Sequence, residues 1–291
     1  MWKLATLLAA GAMLASCAHA GSQPPDQMIN VGTHRLQIHR AGQGVPTVVI
    51  DAGIADHLDK LTPLQDRIAR VTQVITYNRA GYGQSEPGPL PRDGAREAEE
   101  LKALLENASV PAPYVLVGHS LGALNMMVFA SKYPKDVAGM VLLDPPPLSF
   151  ALGKEYGDLG AMAERMTAEW QALADSSAKS TDAQDRARAA FFRMIASEHR
   201  EMGATARLVE GIATFGDLPL IVVAAGKPNA AFGPIAEEFQ KYWVEQSRTL
   251  TGKSTKGKFI FAGESSHHLY VDVPGLVEES ILSVVKDVRA K

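Results

Sequence analysis

The strongest constraint on the fold is a regular alternation between short apolar segments and longer amphipathic ones. Six apolar, β-prone runs are predicted as buried strands, at residues 47–50, 74–77, 114–117, 140–143, 220–225 and 258–261. Helical patterns lie at residues 58–70, 95–108, 121–133, 235–250 and 276–288, and residues 28–40 alternate like a β-hairpin. Strands that are apolar along their whole length must be covered on both faces. The pattern therefore predicts an α/β fold with a mostly parallel sheet flanked by helices.

One stretch departs from this alternation. Between residues 145 and 216 we find no strand pattern, only helical segments rich in Ala, Met, Glu and Arg. An all-helical insertion after the sixth strand predicts a cap over the carboxyl ends of the strands. We therefore expect a core formed by residues 30–144 and 217–291, with a helical cap at 145–216. The apolar residues of the cap predict either an acyl pocket or the cap's own core: Met162, Met166, Trp170, Phe191, Phe192 and Met194.

The first twenty residues are typical of an export signal. Lys3 precedes an apolar run at residues 4–15 that is too short to span a bilayer as a helix, and small residues follow. Residues 14–17, Leu-Ala-Ser-Cys, resemble a bacterial lipobox, in which Cys17 becomes the lipid-modified first residue. Ordinary signal cleavage after the Ala-His-Ala of residues 18–20 is the alternative. We expect an exported protein, periplasmic or attached to the cell envelope through Cys17, with residues 21–29 as a linker.

Charge and cysteine content exclude several classes of partner. The formal net charge is −3 with no Lys/Arg block to neutralise phosphates, so we expect no nucleic-acid partner. Cys17 is the single cysteine, which excludes an intramolecular disulfide and a cysteine-based zinc site. The sequence implies neither a metal nor an organic cofactor.

A G-x-S-x-G motif follows one of the predicted strands. The sequence at residues 118–122, Gly-His-Ser-Leu-Gly, lies between the apolar run at 115–117 and a helical pattern. In this strand–turn–helix context the tight turn exposes the serine hydroxyl and leaves no room for side chains at the glycines. The helix N-terminus beside it favours developing negative charge. The motif predicts Ser120 as a nucleophile, the alternative being a structural glycine turn with a buried serine.

A serine hydroxyl is a poor nucleophile at neutral pH and needs a general base, usually a histidine held by a carboxylate. Of the eight histidines, His267 and His268 lie in the predicted loop between the last strand and the last helix. We favour His267 as the base and keep His268 as the alternative. His57 follows the third strand, in a position to line the pocket.

Four stretches together resemble the α/β-hydrolase superfamily. Residues 115–123 (VLVGHSLGA) resemble its nucleophile elbow, and residues 48–55 (VVIDAGIA) the strand and loop that supply an oxyanion donor. Residues 77–89 (YNRAGYGQSEPGP) are similar to its D-R-x-G-x-G-x-S loop, with Asn78 where Asp is usual. Residues 265–274 (SSHHLYVDVP) resemble its H-x-x-x-x-D-x-P pattern, which places the catalytic position on His267. The resemblance covers the chain after residue 30 and implies the α/β-hydrolase fold.

The resemblance also implies an oxyanion hole made of backbone groups. One donor is the N–H of Leu121, beside the nucleophile, and the other is the N–H of Ile54, in the loop after the third strand. Such donors act on the charge that develops in a tetrahedral intermediate. Gly53 supports this expectation because a glycine lets the chain bend close to the site.

The acid of the triad is where the sequence departs from the superfamily. The usual position, G-x-x-D after the strand at 220–225, holds Asn229, which cannot stabilise an imidazolium electrostatically. The other known position is the end of the preceding strand, where Asp144 follows the run at 140–143. This choice keeps the chain order Ser…Asp…His. We favour Asp144, and the alternatives that stay open are Glu237, Glu238, Asp217 and a weak dyad completed by Asn229.

Together these residues predict a serine hydrolase that cleaves a small-molecule or acyl ester through an acyl-enzyme intermediate. Haloalkane dehalogenases and epoxide hydrolases share the fold but use an aspartate nucleophile, and the serine at position 120 argues against both. A peptidase, thioesterase, lactonase or acyltransferase on the same triad is the alternative within enzymes. A non-catalytic binding protein on this fold is the alternative from another class.

Overall fold

A computed structural model of the chain describes residues 26–290. The strands are β1 Asp26–Asn30, β2 Arg35–Ala41, β3 Thr47–Asp51, β4 Val74–Tyr77, β5 Tyr114–His119, β6 Val137–Leu143, β7 Leu220–Ala225 and β8 Gly257–Ala262. The helices are α1 Thr62–Ile68, α2 Gly94–Asn107, α3 Leu121–Lys132, α4 Leu148–Ala151, α5 Gly157–Ala178, α6 Ala183–Glu210, α7 Ala236–Thr249, α8 Leu269–Asp272 and α9 Pro274–Arg289. The predicted export signal, with Cys17, lies outside the described residues.

The eight strands form one sheet in the order β1-β2-β4-β3-β5-β6-β7-β8. β1 pairs with β2, and β2 with β4, in antiparallel fashion, and every other pair is parallel. The sheet is therefore mostly parallel, as predicted. Because parallel strands share one direction, the carboxyl ends of β3, β5, β6, β7 and β8 meet at one edge of the sheet, where ligands bind in such folds.

Apolar side chains alternate between the two faces of the sheet. In β3, Val49 belongs to a core cluster that includes residues of α2 and α3, whereas Val48 and Ile50 belong to a second cluster with residues of α1 and α9. In β5, Leu116 belongs to the first cluster and Val115 to the second. Both faces are thus covered by helices, which explains why the strands are apolar throughout. The predicted α/β fold, with helices flanking the sheet, is confirmed.

The segment between β6 and β7 contains α4, α5 and α6 and, within the described residues, no strand. This is the predicted helical cap after the sixth strand. α6 is attached to the core by polar contacts: Ser197 Oγ accepts a hydrogen bond from the Arg92 N–H at 3.0 Å, and Thr205 Oγ1 accepts one from the Gly94 N–H at 2.8 Å. α5 packs on α6 and is mostly exposed, with Leu159 and Ala174 as its buried residues.

Several segment boundaries differ from the sequence-based expectations; β5, for example, ends at His119 and β6 begins at Val137. Residues 26–29, expected as part of the linker, form β1, because they pair with β2 at the sheet edge and half-bury Met28 and Ile29. The helix expected at 58–70 is a short 3₁₀ turn, Leu58–Lys60, followed by α1. Strands β4 and β7 begin and end where the sequence predicts. Within residues 26–290, no helix has both the length and the apolarity needed to cross a bilayer.

Candidate active site

Ser120 lies in the tight turn between β5 and α3. Its backbone has φ 53° and ψ −122°, a conformation that side-chain-bearing residues rarely adopt and that is found at active sites. A Cβ at Gly118 would lie 2.4 Å from the carbonyl oxygen of Gly122, so a side chain there is excluded. The Ser120 N–H donates to the Leu143 carbonyl oxygen at 2.9 Å, which ties the turn to the end of β6. The hydroxyl makes no capping bond to α3 and lies at the wall of a cavity.

The structure brings His267 and Asp144 together. Asp144 comes directly after β6, and its Oδ2 is 2.6 Å from Nδ1 of His267, in the loop between β8 and α8. Asp144 is 2% exposed, and its other oxygen, Oδ1, accepts a hydrogen bond from the Ala225 N–H at 2.9 Å. Because a carboxylate oxygen accepts, Nδ1 carries the proton and Nε2 keeps a free lone pair. This is the orientation that a general base needs.

The loop that carries His267 is held by the acidic residue of its own motif. Asp272 Oδ2 accepts a hydrogen bond from the Ser266 N–H at 2.7 Å. Hydrogen bonding by the Ser266 side chain, together with this backbone N–H bond, lowers the pKa of Asp272, so the carboxylate is ionised at neutral pH. Pro274 then begins α9. Asp272 thus acts on the loop and does not contact the imidazole through a hydrogen bond.

His268, the alternative base, contacts a different carboxylate. Its Nε2 is 3.5 Å from Oδ2 of Asp56, which also accepts a hydrogen bond from the Tyr270 hydroxyl at 2.8 Å. Burial alone would raise the pKa of Asp56, but hydrogen bonds with His268, Lys60 and Tyr270 lower it below its usual value. His57 is 3.7 Å from Asp59, with two-fifths of its side chain exposed.

The other candidate acids are engaged elsewhere. Asn229 caps a 3₁₀ turn, its Oδ1 accepting from the Ala231 N–H at 3.0 Å, although it lines a small pocket with Asp144 and His267. Glu238, in the first turn of α7, accepts from the Tyr156 hydroxyl at 3.4 Å, and its neighbour Glu237 borders an open groove on that side. Asp217 is 3.3 Å from the Lys256 ammonium group.

His119, inside the G-x-S-x-G motif, contacts His267. Its Nε2 is 2.8 Å from the His267 carbonyl oxygen, and the two rings are 4.6 Å apart. A carbonyl oxygen only accepts, so Nε2 carries the proton and Nδ1 does not. Burial, with a further contribution from His267, lowers the pKa of His119 well below its usual value. His119 is therefore a neutral support that holds the backbone of His267.

The two predicted oxyanion donors follow residues that lie at the Ser120 turn: Leu121 follows Ser120, and Ile54 follows Gly53. Leu121 is the first residue of α3, so its N–H has no acceptor within the helix. On the other side, a Cβ at Gly53 would lie 3.2 Å from Cβ of Ser120 and 2.9 Å from Nδ1 of His119. This close approach places the Gly53–Ile54 segment against the turn that carries Ser120.

The loop after β4 contributes a buried arginine that the sequence reasoning did not single out. Arg79 is 2% exposed and binds Asp51 through Nη1 at 2.7 Å and Glu198 of α6 through Nε at 2.9 Å. Its neighbour Asn78 stands where the superfamily has Asp. The Asn78 amide accepts from the Leu58 N–H at 2.9 Å and donates elsewhere, which a carboxylate cannot do. The sequence feature that could have identified Arg79 is its position in the 77–89 loop, which resembles the D-R-x-G-x-G-x-S loop of the superfamily.

A cavity of about 420 Å³ opens between Ser120 and the cap. Its walls are largely apolar and include Phe150, Leu152, Leu159, Met162, Met166, Met202, Phe232 and Trp243, and the polar residues Glu164, His199 and Arg200 line it as well. Trp243 also lies beside the histidine, with 5.7 Å between its ring centroid and that of His267. The apolar cap residues thus divide between the two predicted roles. Met162 and Met166 line the cavity, whereas Met194 is buried in the core and Phe192 packs on Phe191 and Trp170.

Comparisons with known proteins agree with this fold. A family profile described as "alpha/beta hydrolase fold" matches residues 46–259. An uncharacterised protein, YqjL of Bacillus subtilis, is 28% identical over 247 residues, covering 84% of this chain and 86% of its own. An esterase from Thermogutta terrifontis has a TM-score of 0.67 at 17% identity, covering 90% of this chain and 98% of its own.

A haloalkane dehalogenase from Bradyrhizobium elkani is a similar structure as well, with a TM-score of 0.67 at 15% identity, covering 91% of this chain and 98% of its own. At such identities, likeness to an esterase and likeness to a dehalogenase show the same thing, the fold. The family profile spans most of the sheet, both sides of the Ser120 turn and the whole cap. The chain therefore belongs to the α/β-hydrolase family.

Proposed function

We propose that the protein is a serine hydrolase that cleaves carboxylic esters through an acyl-enzyme on Ser120. Ser120 Oγ attacks the carbonyl carbon while its proton passes to Nε2 of His267. The tetrahedral intermediate collapses, His267 returns the proton to the leaving alkoxide, and the acyl group stays on Ser120. Water then attacks the acyl-enzyme with His267 as base, and the acid leaves as Ser120 recovers its proton.

The observation that carries this proposal is the 2.6 Å contact between Asp144 Oδ2 and His267 Nδ1. It holds the imidazole in the tautomer that leaves Nε2 free to accept a proton, and the carboxylate stabilises the imidazolium that forms. Asp144 is therefore proposed as the acid of the triad. The strained backbone of Ser120 and its place at the cavity wall support its role as the nucleophile.

The proposed oxyanion hole consists of the N–H groups of Leu121 and Ile54. Their support is positional: Leu121 begins α3 and Ile54 follows the glycine that packs on Ser120. Loss of one such donor in a serine hydrolase typically lowers the rate by about 10²–10³-fold.

The cavity walls favour an apolar acyl group on a small-molecule ester. Methionine, leucine and aromatic side chains adapt to apolar chains and offer few hydrogen-bond partners to a peptide backbone. We therefore rank ester cleavage above peptidase activity. Thioesters and lactones present the same acyl carbon, so a thioesterase, lactonase or acyltransferase uses the same residues.

The test is hydrolysis of p-nitrophenyl esters of increasing acyl length, with Ser120→Ala beside the wild type. We expect the variant to lose at least about 10³-fold in kcat, because the nucleophile is gone. A fluorophosphonate probe should add one label to the wild type, at Ser120 by mass spectrometry, and none to the variant. Ser283→Ala is the matched control, since the same substitution there lies on α9, outside the site.

A wild-type protein that neither cleaves these esters nor takes up the probe contradicts the proposal and favours a non-catalytic binding protein. Ester cleavage retained in Ser120→Ala contradicts the nucleophile assignment. Cleavage of thioesters alone would indicate a thioesterase, and cleavage of lactones alone a lactonase.

For the N-terminal segment we propose export, with lipid attachment at Cys17 as the favoured form. The support is the sequence of residues 1–20. Mass spectrometry of the mature N-terminus tests it: a diacylated Cys17 is expected, a free Gly21 indicates ordinary signal cleavage, and an intact Met1 contradicts export.

A further inference from the structure

Arg79 is a buried arginine whose five N–H donors are all used. Nε and Nη2 bind the two carboxylate oxygens of Glu198 at 2.9 Å each. Nη1 donates to Asp51 Oδ1 and to the Ala52 carbonyl oxygen, both at 2.7 Å. The remaining Nη2 hydrogen is directed at the Gly53 carbonyl oxygen, 3.0 Å away. One side chain thus holds two consecutive carbonyl groups of the loop after β3.

The bond to Gly53 acts on Ile54 through the peptide plane. The Gly53 C=O and the Ile54 N–H belong to one planar trans peptide, so they point in opposite directions. Fixing the carbonyl on Arg79 therefore fixes the direction of the Ile54 N–H. The guanidinium charge also draws electron density from the carbonyl oxygen, which strengthens the N–H as a donor. In the part of the chain that the structure describes, this N–H donates to no other residue.

The next peptide is held by Tyr82. The Ala55 N–H donates to the Tyr82 hydroxyl oxygen at 3.3 Å, and that hydroxyl donates to Glu198 Oε2 at 2.6 Å. Ala55 has a positive φ of 63°, a strained conformation for a residue with a side chain. The peptides on both sides of Ile54 are therefore held by groups that Glu198 binds.

Glu198 belongs to the cap. It lies on α6 with 1% exposure, one turn before Met202, which lines the cavity next to Ser120. Burial alone would lower the pKa of Arg79, but Glu198 and Asp51 raise it well above its usual value, so the arginine stays charged. Removing one partner from such a buried pair leaves an uncompensated charge and is strongly destabilising. The contact between cap and core is thus anchored at this cluster.

We propose that Arg79 and Glu198 are positioning residues for the Ile54 oxyanion donor, and that the seating of α6 on the core controls the rate of acylation through them. This inference rests on the proposed serine hydrolase activity. It predicts a change in kcat with little change in KM, because an oxyanion donor acts on charge that develops in the transition state.

A second buried arginine provides the matched control. Arg92 is fully buried and binds Glu97 and Glu100 of α2, the latter through two bonds at 2.7 and 2.5 Å. It has the same number of carboxylate partners as Arg79, and within residues 26–290 its side chain bonds only Glu97, Glu100 and the Pro89 carbonyl oxygen. Its bond to Ser197 of α6 uses the backbone N–H, which lysine keeps. The experiment compares Arg79→Lys with Arg92→Lys, because lysine keeps the charge and loses the planar fork of donors.

We expect Arg79→Lys to lower kcat by about 10–100-fold, less than the loss of a complete oxyanion donor, with KM changed by less than about threefold. Arg92→Lys should change neither constant by more than about threefold, although thermal unfolding shows a comparable loss of stability in both variants. Glu198→Gln against Glu100→Gln is the second pair, with about a 3–10-fold lower kcat expected only for the former.

The outcomes separate the two proposals. If wild type is active and labelled at Ser120 but Arg79→Lys and Glu198→Gln keep wild-type kcat, the positioning inference is wrong and the serine hydrolase stands. Equal losses of kcat in the two pairs also contradict it, because they indicate a general effect of buried charge. If wild type shows no activity and no labelling, both proposals fall. Should Arg79→Lys not fold, the Glu198→Gln pair decides.

Discussion

The two sides of the candidate site are built from different parts of the molecule. The histidine side consists of Asp144, His267 and His119, joined by contacts of 2.6 and 2.8 Å between residues at the ends of β6, β8 and β5. The oxyanion side consists of the loop at Gly53, held by the buried Arg79 and, through it, by Glu198 of the cap. The histidine side is therefore supported by the core sheet, whereas the proposed oxyanion side is also bonded, through Arg79, to the cap.

This difference indicates which part of the candidate site a change in the cap can affect. The cap lines the cavity next to Ser120 and also carries Glu198, and α6 contributes to both. A change in the cap should reach the oxyanion donor and leave the Asp144–His267 pair in place. Three predictions test this contrast.

The largest expected effect is on the histidine side. Asp144→Asn should lower kcat by about 10³–10⁴-fold, because an amide no longer selects the productive tautomer of His267 or stabilises its charged form. The measurement is kcat for the best p-nitrophenyl ester. Asn229→Ala is the control for the position usual in the superfamily and should stay within about twofold. Near-normal activity in Asp144→Asn, together with a loss in Asn229→Ala, would reverse the assignment.

The next effect is on the oxyanion side. Gly53→Ala adds a Cβ at 2.9 Å from His119 Nδ1 and 3.2 Å from Ser120 Cβ, so the loop must move away from the nucleophile. We expect kcat to fall by about 10–100-fold while labelling of Ser120 by a fluorophosphonate becomes slower. Gly275→Ala, where a Cβ meets nothing within 4 Å, should have wild-type kinetics. An unchanged kcat in Gly53→Ala contradicts the placement of the donor on this loop.

The smallest effect concerns the acid sensitivity of the histidine side. The pKa of His119 is lowered in the folded protein, so the unfolded state binds a proton more readily and stability falls as the pH drops below about 6.5. His119→Gln removes this contribution, which is at most about 1.4 kcal/mol per pH unit. Urea unfolding at pH 7.5, 6.5 and 5.5 should show a shallower decline for the variant than for wild type.

His57→Gln, the same substitution at a partly exposed histidine, is the control and should follow wild type. A parallel decline in His119→Gln and wild type would show that His119 is not the buried neutral group.

The local parts of the site could be predicted from the sequence. The strand, the tight turn and the helix around Ser120 are contiguous, so Gly118 and Gly122 are required wherever this turn forms. The apolar runs likewise predicted β4 and β7 to the residue, because strands covered on both faces leave little room for polar side chains. β1 was partly missed, since an antiparallel edge strand is only half-buried and its pattern is weak.

The choice among candidate acids depended on the sheet. Asp144, Asn229 and Asp217 are all near strand ends in the sequence, and nothing local distinguishes them. β6 lies between β5 and β7, so its end adjoins the Ser120 turn, and the Ala225 N–H fixes the Asp144 carboxylate in front of His267. Strand order is a long-range property, and the contact joins residues 123 positions apart.

What the sequence determined by itself was the α/β architecture, the helical cap and the G-x-S-x-G turn, since periodicity and turn chemistry act over a few residues. Only the tertiary structure showed which carboxylate meets His267 and that His119 bonds the His267 carbonyl oxygen. Only it showed that Arg79 and Tyr82, both bound to Glu198, hold the peptides on either side of Ile54. The pair Arg79 and Glu198 is separated by 119 positions and has no periodic signature. A buried ion pair is decided by how α6 packs on the core, because only packing removes both charges from water together.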